Sequence, residues 1–255
     1  MEIKRLLLIS GLVFSSLSAY AELPAFEVCL DPFPPRQIVI DGKEPKGQNI
    51  EIIEAIGKQV GFLPSYTVNT PFKRCLLKME SGDTDFMVGL VKNDDRSRYM
   101  AFIPYMQETT KRFFSLKKRQ ITITKNEDLK GLKVALIEGF AFNKQVTPLL
   151  NHADYVYVES LDKAFYLLTS GRVDLVFASE YIAPEFPTAP ITQLQLIYSD
   201  YALKFDNYAS IAISKKSEAM MHIPAIKNAV EKLNHEGVIE TIIKTGSLQK
   251  HSVQH

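Results

Sequence analysis

The sequence has little cysteine and histidine, and this scarcity limits the chemistry that the protein can support. Its 255 residues include two cysteines and five histidines. The two cysteines are 46 positions apart and far from every histidine, so the sequence has no set of ligands with the spacings of a zinc site, and we predict neither a metal site nor a cofactor. The sequence also lacks a nucleophile motif and a glycine-rich phosphate-binding loop, and both absences weigh against an enzyme.

An excess of either charge is also lacking. The 30 Lys and Arg residues nearly balance the 29 Asp and Glu residues, which gives a formal net charge of +1. Nucleic acids and anionic membranes attract proteins through an excess of positive charge. We therefore expect no nucleic-acid partner.

The apolar run near the N-terminus is too short to cross a membrane. Leu6 to Leu17 would span about 18 Å as a helix, less than the roughly 30 Å hydrocarbon core of a bilayer. The run follows the basic residues Lys4 and Arg5 and precedes a small-x-small pattern that ends at Ala21, which is typical of a secretory signal peptide. We predict that residues 1–21 are a signal peptide and that the mature protein is exported to the periplasm.

Export would place both cysteines, Cys29 and Cys75, in an oxidising compartment, where thiols tend to pair. A disulfide between them would close a loop of about 46 residues and stabilise the fold by roughly 4 kcal/mol through chain entropy. We predict this disulfide, and the alternative is a pair of buried free thiols.

Two blocks of the chain show the same order of strands and helices. Apolar alternation predicts strands, apolar residues at every third or fourth position predict helices, and glycines end the helices. The first block has a strand at 25–30, a helix at 47–60, a strand at 62–68, a helix at 71–82 and a strand at 85–91. The second has a strand at 131–137, a helix at 142–150, a strand at 155–158, a helix at 161–169 and a strand after Asp174. This β-α-β-α-β order predicts an α/β fold with two mixed, mostly parallel sheets and flanking helices.

A short motif recurs at the same place in both blocks. Residues 81–85 and 170–174 each read Ser-Gly-x-x-Asp, between a helix and an apolar strand. The glycine supplies the left-handed residue that ends a helix, and the aspartate can accept hydrogen bonds from turn amides. The repetition predicts two duplicated lobes.

The last part of the chain predicts how the lobes are connected. A strand-like run at 208–214 and the helices after it belong to neither block, so we expect them to return to the first lobe. This assigns residues 22–108 and 207–255 to lobe 1 and residues 109–206 to lobe 2. The two crossings between the lobes would form a hinge.

A set of short segments, in their order and spacing, is typical of one protein family. They are Gly47 with the helix after it, 76–85, Arg96 followed by 102–105, 128–134, Gly139, 170–174 and 233–239. Together they resemble the family 3 periplasmic solute-binding proteins, the polar-amino-acid binders of ABC importers. The resemblance implies a two-lobed type II periplasmic-binding fold, a small-molecule ligand in the cleft between the lobes and an ABC permease as partner. We expect a monomer that is not an enzyme and has no catalytic residues.

The resemblance also indicates which residues bind the ligand. Arg96 falls where the family places an arginine for the ligand's carboxylate, to which a guanidinium can donate two parallel hydrogen bonds. Phe33 and Phe72 match aromatic walls of the family's cleft. Arg74, close to Phe72 on the same helix, is a second candidate contact for an anion. The alternatives are a solvated surface position for each arginine and core packing for each phenylalanine.

The second lobe departs from the family. In amino-acid binders an aspartate holds the ligand's ammonium group, and here that position is Ser179, while the adjacent Glu180 would face the other way along a strand. Val91 stands in place of a hydroxyl residue, and Phe142 in place of a polar one. Because a desolvated ammonium without a partner is costly, we expect a carboxylate-bearing ligand other than an ordinary α-amino acid. Closure of the lobes would bring Phe142 and Ser179 onto it.

Two other functions fit the same scaffold. A binding protein without an importer could deliver its ligand signal to a periplasmic sensor domain. The second function is that of a dehydratase, and cyclohexadienyl dehydratase is the precedent for such an enzyme on this scaffold. Glu138 or Glu180 would supply its acid or base.

Overall fold

The computed structural model describes residues 23–107, 110–140, 146, 148, 152–179, 196–204 and 206–248. The predicted signal peptide lies outside the described residues. Within them the chain forms two five-stranded sheets with helices packed against each sheet. The prediction of an α/β fold with two sheets is confirmed.

The elements follow the predicted order closely. The strands are β1 (Ala25–Cys29), β2 (Leu63–Thr67), β3 (Phe86–Val91), β4 (Met100–Gln107), β5 (Lys111–Leu116), β6 (Lys133–Ile137), β7 (Asp154–Val158), β8 (Leu175–Ser179), β9 (Leu196–Leu203) and β10 (Tyr208–Ser214). The α-helices are α1 (Gln48–Val60), α2 (Phe72–Ser81), α3 (Asp94–Ser97), α4 (Leu161–Thr169), α5 (Ile223–His235) and α6 (Val238–Leu248). The helix predicted at 142–150 lies largely outside the described residues.

The two sheets share one topology. The first has the strand order β2-β1-β3-β10-β4, and the second has the order β7-β6-β8-β5-β9. In each sheet three parallel strands stand side by side, and an antiparallel strand, β10 or β5, joins the third of them to an edge strand. This correspondence is what a duplicated β-α-β-α-β unit produces.

The chain passes between the sheets twice. It leaves the first sheet after Gln107 and enters the second at Lys111, and it returns between Leu203 and Tyr208. The returning strand β10 lies between β3 and β4, and α5 packs beside α1 on the first sheet. The residue limits of the two lobes stay a prediction.

Each sheet has its own apolar core. In the first, Ile53 and Ile56 of α1 and Val28 of β1 are fully buried in one cluster. In the second, Phe165 of α4 packs with Phe114 of β5 in another. Separate cores allow each lobe to keep its shape while the two move relative to each other.

The Ser-Gly-x-x-Asp motif has the same structural role in both lobes. Gly82 and Gly171 adopt the left-handed conformation, with φ of 88° and 71°, and end α2 and α4 as predicted. The aspartates differ from the prediction, since each carboxylate accepts a hydrogen bond from the amide of a neighbouring strand residue and, among the described residues, not from a turn amide. Asp85 Oδ2 accepts from the amide of Glu27 at 2.7 Å, and Asp174 Oδ2 accepts from the amide of Lys133 at 2.9 Å. Each aspartate therefore fixes the start of one parallel strand against the next.

Candidate ligand-binding site

A cavity lies between the lobes, at the carboxyl ends of β1 and β3. It encloses about 570 Å³, open solvent at its mouth included. Ligands of open α/β sheets bind at this edge, because the loops that follow parallel strands meet there. The lining residues are Cys29, Asp31, Phe33, Arg36, Gln37, Asn49, Phe72, Met87, Val88, Gly89, Leu90, Val91, Arg96, Lys111 and Phe140.

Three phenylalanines form an aromatic wall that spans both lobes. Phe140, which follows β6, contacts Phe72 edge-to-face with ring centroids 4.9 Å apart, and its ring lies 5.9 Å from that of Phe33. Gly139 allows this approach, since a Cβ added there would lie 3.4 Å from the Phe72 ring. Gly139 also has a φ of 84°, which L-residues with side chains rarely adopt.

The predicted disulfide is confirmed and supports this wall. Cys29 and Cys75 are bonded, with a Cα–Cα distance of 5.7 Å. The bond joins the last residue of β1 to α2, the helix that begins with Phe72. Both ends of the bond are buried, so the disulfide holds one side of the cavity in place.

Arg96 connects the two lobes across the cavity. The side chain of Asn93 caps the short helix α3 by accepting from the Arg96 amide at 2.9 Å. The Arg96 guanidinium donates through Nη1 to the Val91 carbonyl at 2.5 Å and through Nη2 to the Gly139 carbonyl at 2.6 Å. Its Cζ lies 5.4 Å from the centre of the Phe72 ring. Since a guanidinium has five N–H donors, these two bonds leave donors for a ligand oxygen.

Arg96 is buried, with an exposed fraction of 3 %. Burial lowers the pKa of Arg96 to about 10, so the side chain is still charged at neutral pH. Asp31 lines the same cavity, and burial raises the pKa of its carboxyl to about 7, although the charge of Arg96 opposes this rise. Asp31 therefore keeps its proton to a higher pH than an ordinary aspartate does.

Lobe 2 contributes a buried lysine. Lys111 begins β5 and is the strand partner of Ser179, the last residue of β8. Its Nζ donates to the Ser179 hydroxyl, and both residues are 2 % exposed. Where the resemblance to amino-acid binders leads one to expect an acid, the structure has a hydroxyl bonded to an ammonium group.

The predicted site residues fall into three groups. Phe33, Phe72 and Arg96 line the cavity, and Ser179 is bonded to the lining residue Lys111. Arg74 is exposed on α2 and is not among the lining residues, so we leave it out of the proposed site. Phe142 and Glu180 lie outside the described residues.

The lining includes polar residues that sequence reasoning missed: Asp31, Arg36, Gln37, Asn49 and Lys111. Asp31 and Arg36 stand in a proline-rich turn after β1, where the pattern indicates only a loop. The burial of Arg36 was the missing information, because long charged residues are almost never fully buried unless they are paired.

A two-lobed α/β protein with a cavity at the strand ends between the lobes has the architecture of a type II periplasmic binding protein. The sequence matches the family model for bacterial extracellular solute-binding proteins, family 3, over residues 26–245. The chain belongs to this family. No curated protein sequence matched it.

Solved structures show the same fold. An amino acid ABC transporter substrate-binding protein of Streptococcus pneumoniae, bound to L-arginine, is 24 % identical with a TM-score of 0.74, and the match covers 87 % of this chain and 94 % of that one. An ancestral arginine-binding protein bound to arginine is 22 % identical with a TM-score of 0.74, over 88 % and 98 % of the two chains. An ancestral amino-acid-binding protein, a precursor of cyclohexadienyl dehydratase, is 19 % identical with a TM-score of 0.73, over 87 % and 94 %. Within the described part of the chain, every helix is too short or too polar to cross a membrane.

Proposed function

We propose that this solute-binding protein captures a small carboxylate-bearing molecule by closing its lobes around it, and delivers it to an ABC importer. The observation that supports this most strongly is Arg96, a buried guanidinium in the cavity with N–H donors to spare. A carboxylate can accept two parallel charge-assisted hydrogen bonds from such a group.

The charge of the lining also favours an anion. Four of the lining residues are charged, and three of them are basic: Arg36, Arg96 and Lys111. The fourth, Asp31, carries only a partial charge at neutral pH because burial raises its pKa to about 7. An anionic ligand would therefore gain from the positive charge of Arg96.

An ordinary α-amino acid is the alternative ligand, since solved relatives are bound to arginine and to glutamine. Its ammonium group would need a carboxylate partner in lobe 2, because burying an unpaired charge is costly. Ser179, whose hydroxyl accepts a hydrogen bond from Lys111, occupies the position where the resemblance leads one to expect that carboxylate. This argues for a carboxylate without an α-ammonium group.

The proposed mechanism is a shift of population toward a closed form. Arg96 and Phe72 of lobe 1 bind the ligand first, and Phe140 then closes over it from lobe 2. A permease in the inner membrane, reached from the periplasm, recognises the closed shape. A sensor domain that recognises the same closed shape is the alternative partner.

We propose binding and not turnover. Glu138, a candidate acid for a dehydratase, pairs with Lys73 at 2.5 Å, has a side chain that is 44 % exposed and is not among the lining residues. If the ligand is unchanged by nuclear magnetic resonance after prolonged incubation with the protein, binding alone is supported. Loss of its signals with the appearance of an elimination product would support the enzyme instead.

A thermal-shift screen tests the proposal. The protein is unfolded and refolded to remove any co-purified ligand, then heated with matched sets of carboxylates, their amides and α-amino acids. A ligand present at about 100 times its dissociation constant stabilises the folded state by about 2.7 kcal/mol, and the melting temperature rises. We expect carboxylates to raise it and the matching amides to have no effect. Stabilisation by α-amino acids alone would contradict the proposal.

A further inference from the structure

Gln37 has a buried amide oxygen that the protein leaves without a hydrogen-bond donor. The residue lines the cavity and is 5 % exposed. No donor among the described residues lies within hydrogen-bond distance of Gln37 Oε1. A buried acceptor without a partner destabilises the folded state, so its presence needs an explanation.

Backbone hydrogen bonds fix the position of the loop that carries Gln37. Gln37 and Phe33 exchange two backbone hydrogen bonds of 2.9 Å, and the amide of Asn49 at the start of α1 donates to the Arg36 carbonyl at 3.0 Å. The next residue, Ile38, bonds in the same way to Lys46. The loop is thus held on both sides, and the backbone of Gln37 is fixed beside that of Phe33.

The described residues contain one other buried side-chain oxygen of this kind, Oδ1 of Asn126. Asn126 lies in the 3-10 helix at 126–129 and is not among the lining residues. Another glutamine, Gln48, is also buried, with an exposed fraction of 6 %. Its Nε2, however, donates to the Ile243 carbonyl at 2.9 Å. Gln37 therefore combines an orphaned acceptor with a position in the cavity.

We propose that Gln37 is a specificity-determining residue whose Oε1 accepts a hydrogen bond from an O–H or N–H group of the bound carboxylate. The inference rests on the proposed function and narrows it. The ligand has a carboxylate for Arg96 and, apart from it, a hydroxyl or amide donor for Gln37. A purely apolar carboxylate would leave Oε1 without a partner and bind more weakly.

The experiment compares Gln37→Met with wild type. Methionine has nearly the same shape but cannot accept a strong hydrogen bond, so the substitution removes the orphaned oxygen without opening a cavity. The probes are ω-hydroxy carboxylates of increasing length and meta- and para-hydroxyphenylacetate, each beside its parent without the hydroxyl group. Dissociation constants are measured by titration calorimetry, and ligand-free melting temperatures by calorimetric scanning.

We expect wild type to bind at least one hydroxylated probe roughly tenfold or more tightly than its parent, and Gln37→Met to abolish this preference. The ligand-free variant should melt higher than wild type, by roughly 2–6 °C, because the unsatisfied oxygen is gone. The matched control, Gln48→Met, loses a hydrogen bond that is made. It should melt lower and keep the preference for the hydroxyl group.

The outcomes separate this inference from the proposed function. If carboxylates bind but hydroxylated probes and their parents bind equally to wild type, or Gln37→Met weakens both equally, only the inference fails. The same holds if Gln37→Met melts lower than wild type, since the oxygen is then satisfied in solution, for example by water. If no carboxylate binds, the proposed function fails and the inference fails with it.

Discussion

Arg96 is the residue on which the proposed chemistry depends most. It is buried beside Phe72, it bonds to a carbonyl of each lobe, and it lines the cavity. Arg98, two positions later, is exposed at 76 % of its side chain. Substitutions at Arg96 and Arg98 therefore compare a guanidinium that lines the cavity with one that does not.

Arg96→Lys should weaken carboxylate binding by roughly tenfold or more. Lysine keeps the positive charge but cannot donate two parallel bonds from a planar fork. Arg98→Lys, measured by the same titration, should bind as wild type does. Equal effects of the two substitutions would show that Arg96 has no special role in binding.

Asp31 predicts how stability depends on pH. Its folded pKa is about 7 against 3.8 in a model compound, so between these values the folded protein holds a proton that the unfolded chain has released. The free energy of unfolding then decreases as pH rises through this window, by up to about 1.4 kcal/mol per pH unit from this group. Asp31→Asn does not titrate, so its stability relative to wild type should increase from pH 4 to pH 7.

Chemical denaturation at several pH values measures this difference for the ligand-free proteins. A difference between Asp31→Asn and wild type that stays constant over the window would show that the carboxyl ionises normally in the fold. Increasing salt should change the result little, because buried charges are screened less than exposed ones.

At the scale of elements, the disulfide connects β1 to α2 and places two walls of the cavity. Cys29→Ala with Cys75→Ala should lower the free energy of unfolding by up to about 4 kcal/mol, because the unfolded chain loses the constraint of a loop with a sequence separation of 46. Denaturation with and without a reducing agent measures the effect. Reduction should destabilise wild type but not the double variant, and an equal response would contradict the account.

Gly139 sits where lobe 2 meets α2. In Gly139→Ala the new Cβ would lie 3.3 Å from Leu76 Cδ1 and 3.4 Å from the Phe72 ring, on a backbone with φ of 84°. The positive φ strains the open and closed forms alike, whereas these contacts between the lobes strain only the closed form. Overpacking of this kind costs about 1 kcal/mol or more, so ligand affinity should decrease by roughly fivefold to tenfold. Gly131→Ala is the control, because its φ is also positive, at 74°, but a Cβ there meets nothing within 4 Å. Equal losses of affinity would show that contact between the lobes is not the cause.

The regular elements could largely be predicted, because their signals are local. The helix at 161–169 has the predicted limits, and α1 and α2 begin one residue after theirs. The strands β4, β5 and β9 were not delimited, because they are partly exposed or interrupted by polar residues such as Lys111 and Arg112. Their pairing with β10 and β8 depends on contacts between distant parts of the chain, which periodicity does not contain.

The site could be predicted only in part, for the same physical reason. Arg96, Phe33 and Phe72 were found through a family resemblance, whereas Lys111 and Gln37 stand in segments without a motif. What makes these two residues important is burial next to the cavity, and burial is set by packing of the whole fold. Because most lysines are exposed, nothing in the sequence around Lys111 predicted that it is buried.

At the scale of the whole molecule, two lobes with separate cores are joined by two crossings and meet at one cavity. Among the described residues, the contacts between the lobes include the Phe140 ring against Phe72 and Phe33, the bond from Arg96 to Gly139 and the ion pair of Lys73 with Glu138. Such an arrangement is suited to opening and closing, because each lobe keeps its own core when these contacts break.

Small-angle X-ray scattering of the ligand-stripped protein, titrated with a carboxylate found in the thermal-shift screen, measures whether the lobes close around the ligand. We expect the radius of gyration to decrease and level off at one ligand per protein, and Arg96→Lys to need at least about tenfold more ligand to reach the same value. A radius of gyration that does not change at saturating ligand would contradict capture by lobe closure.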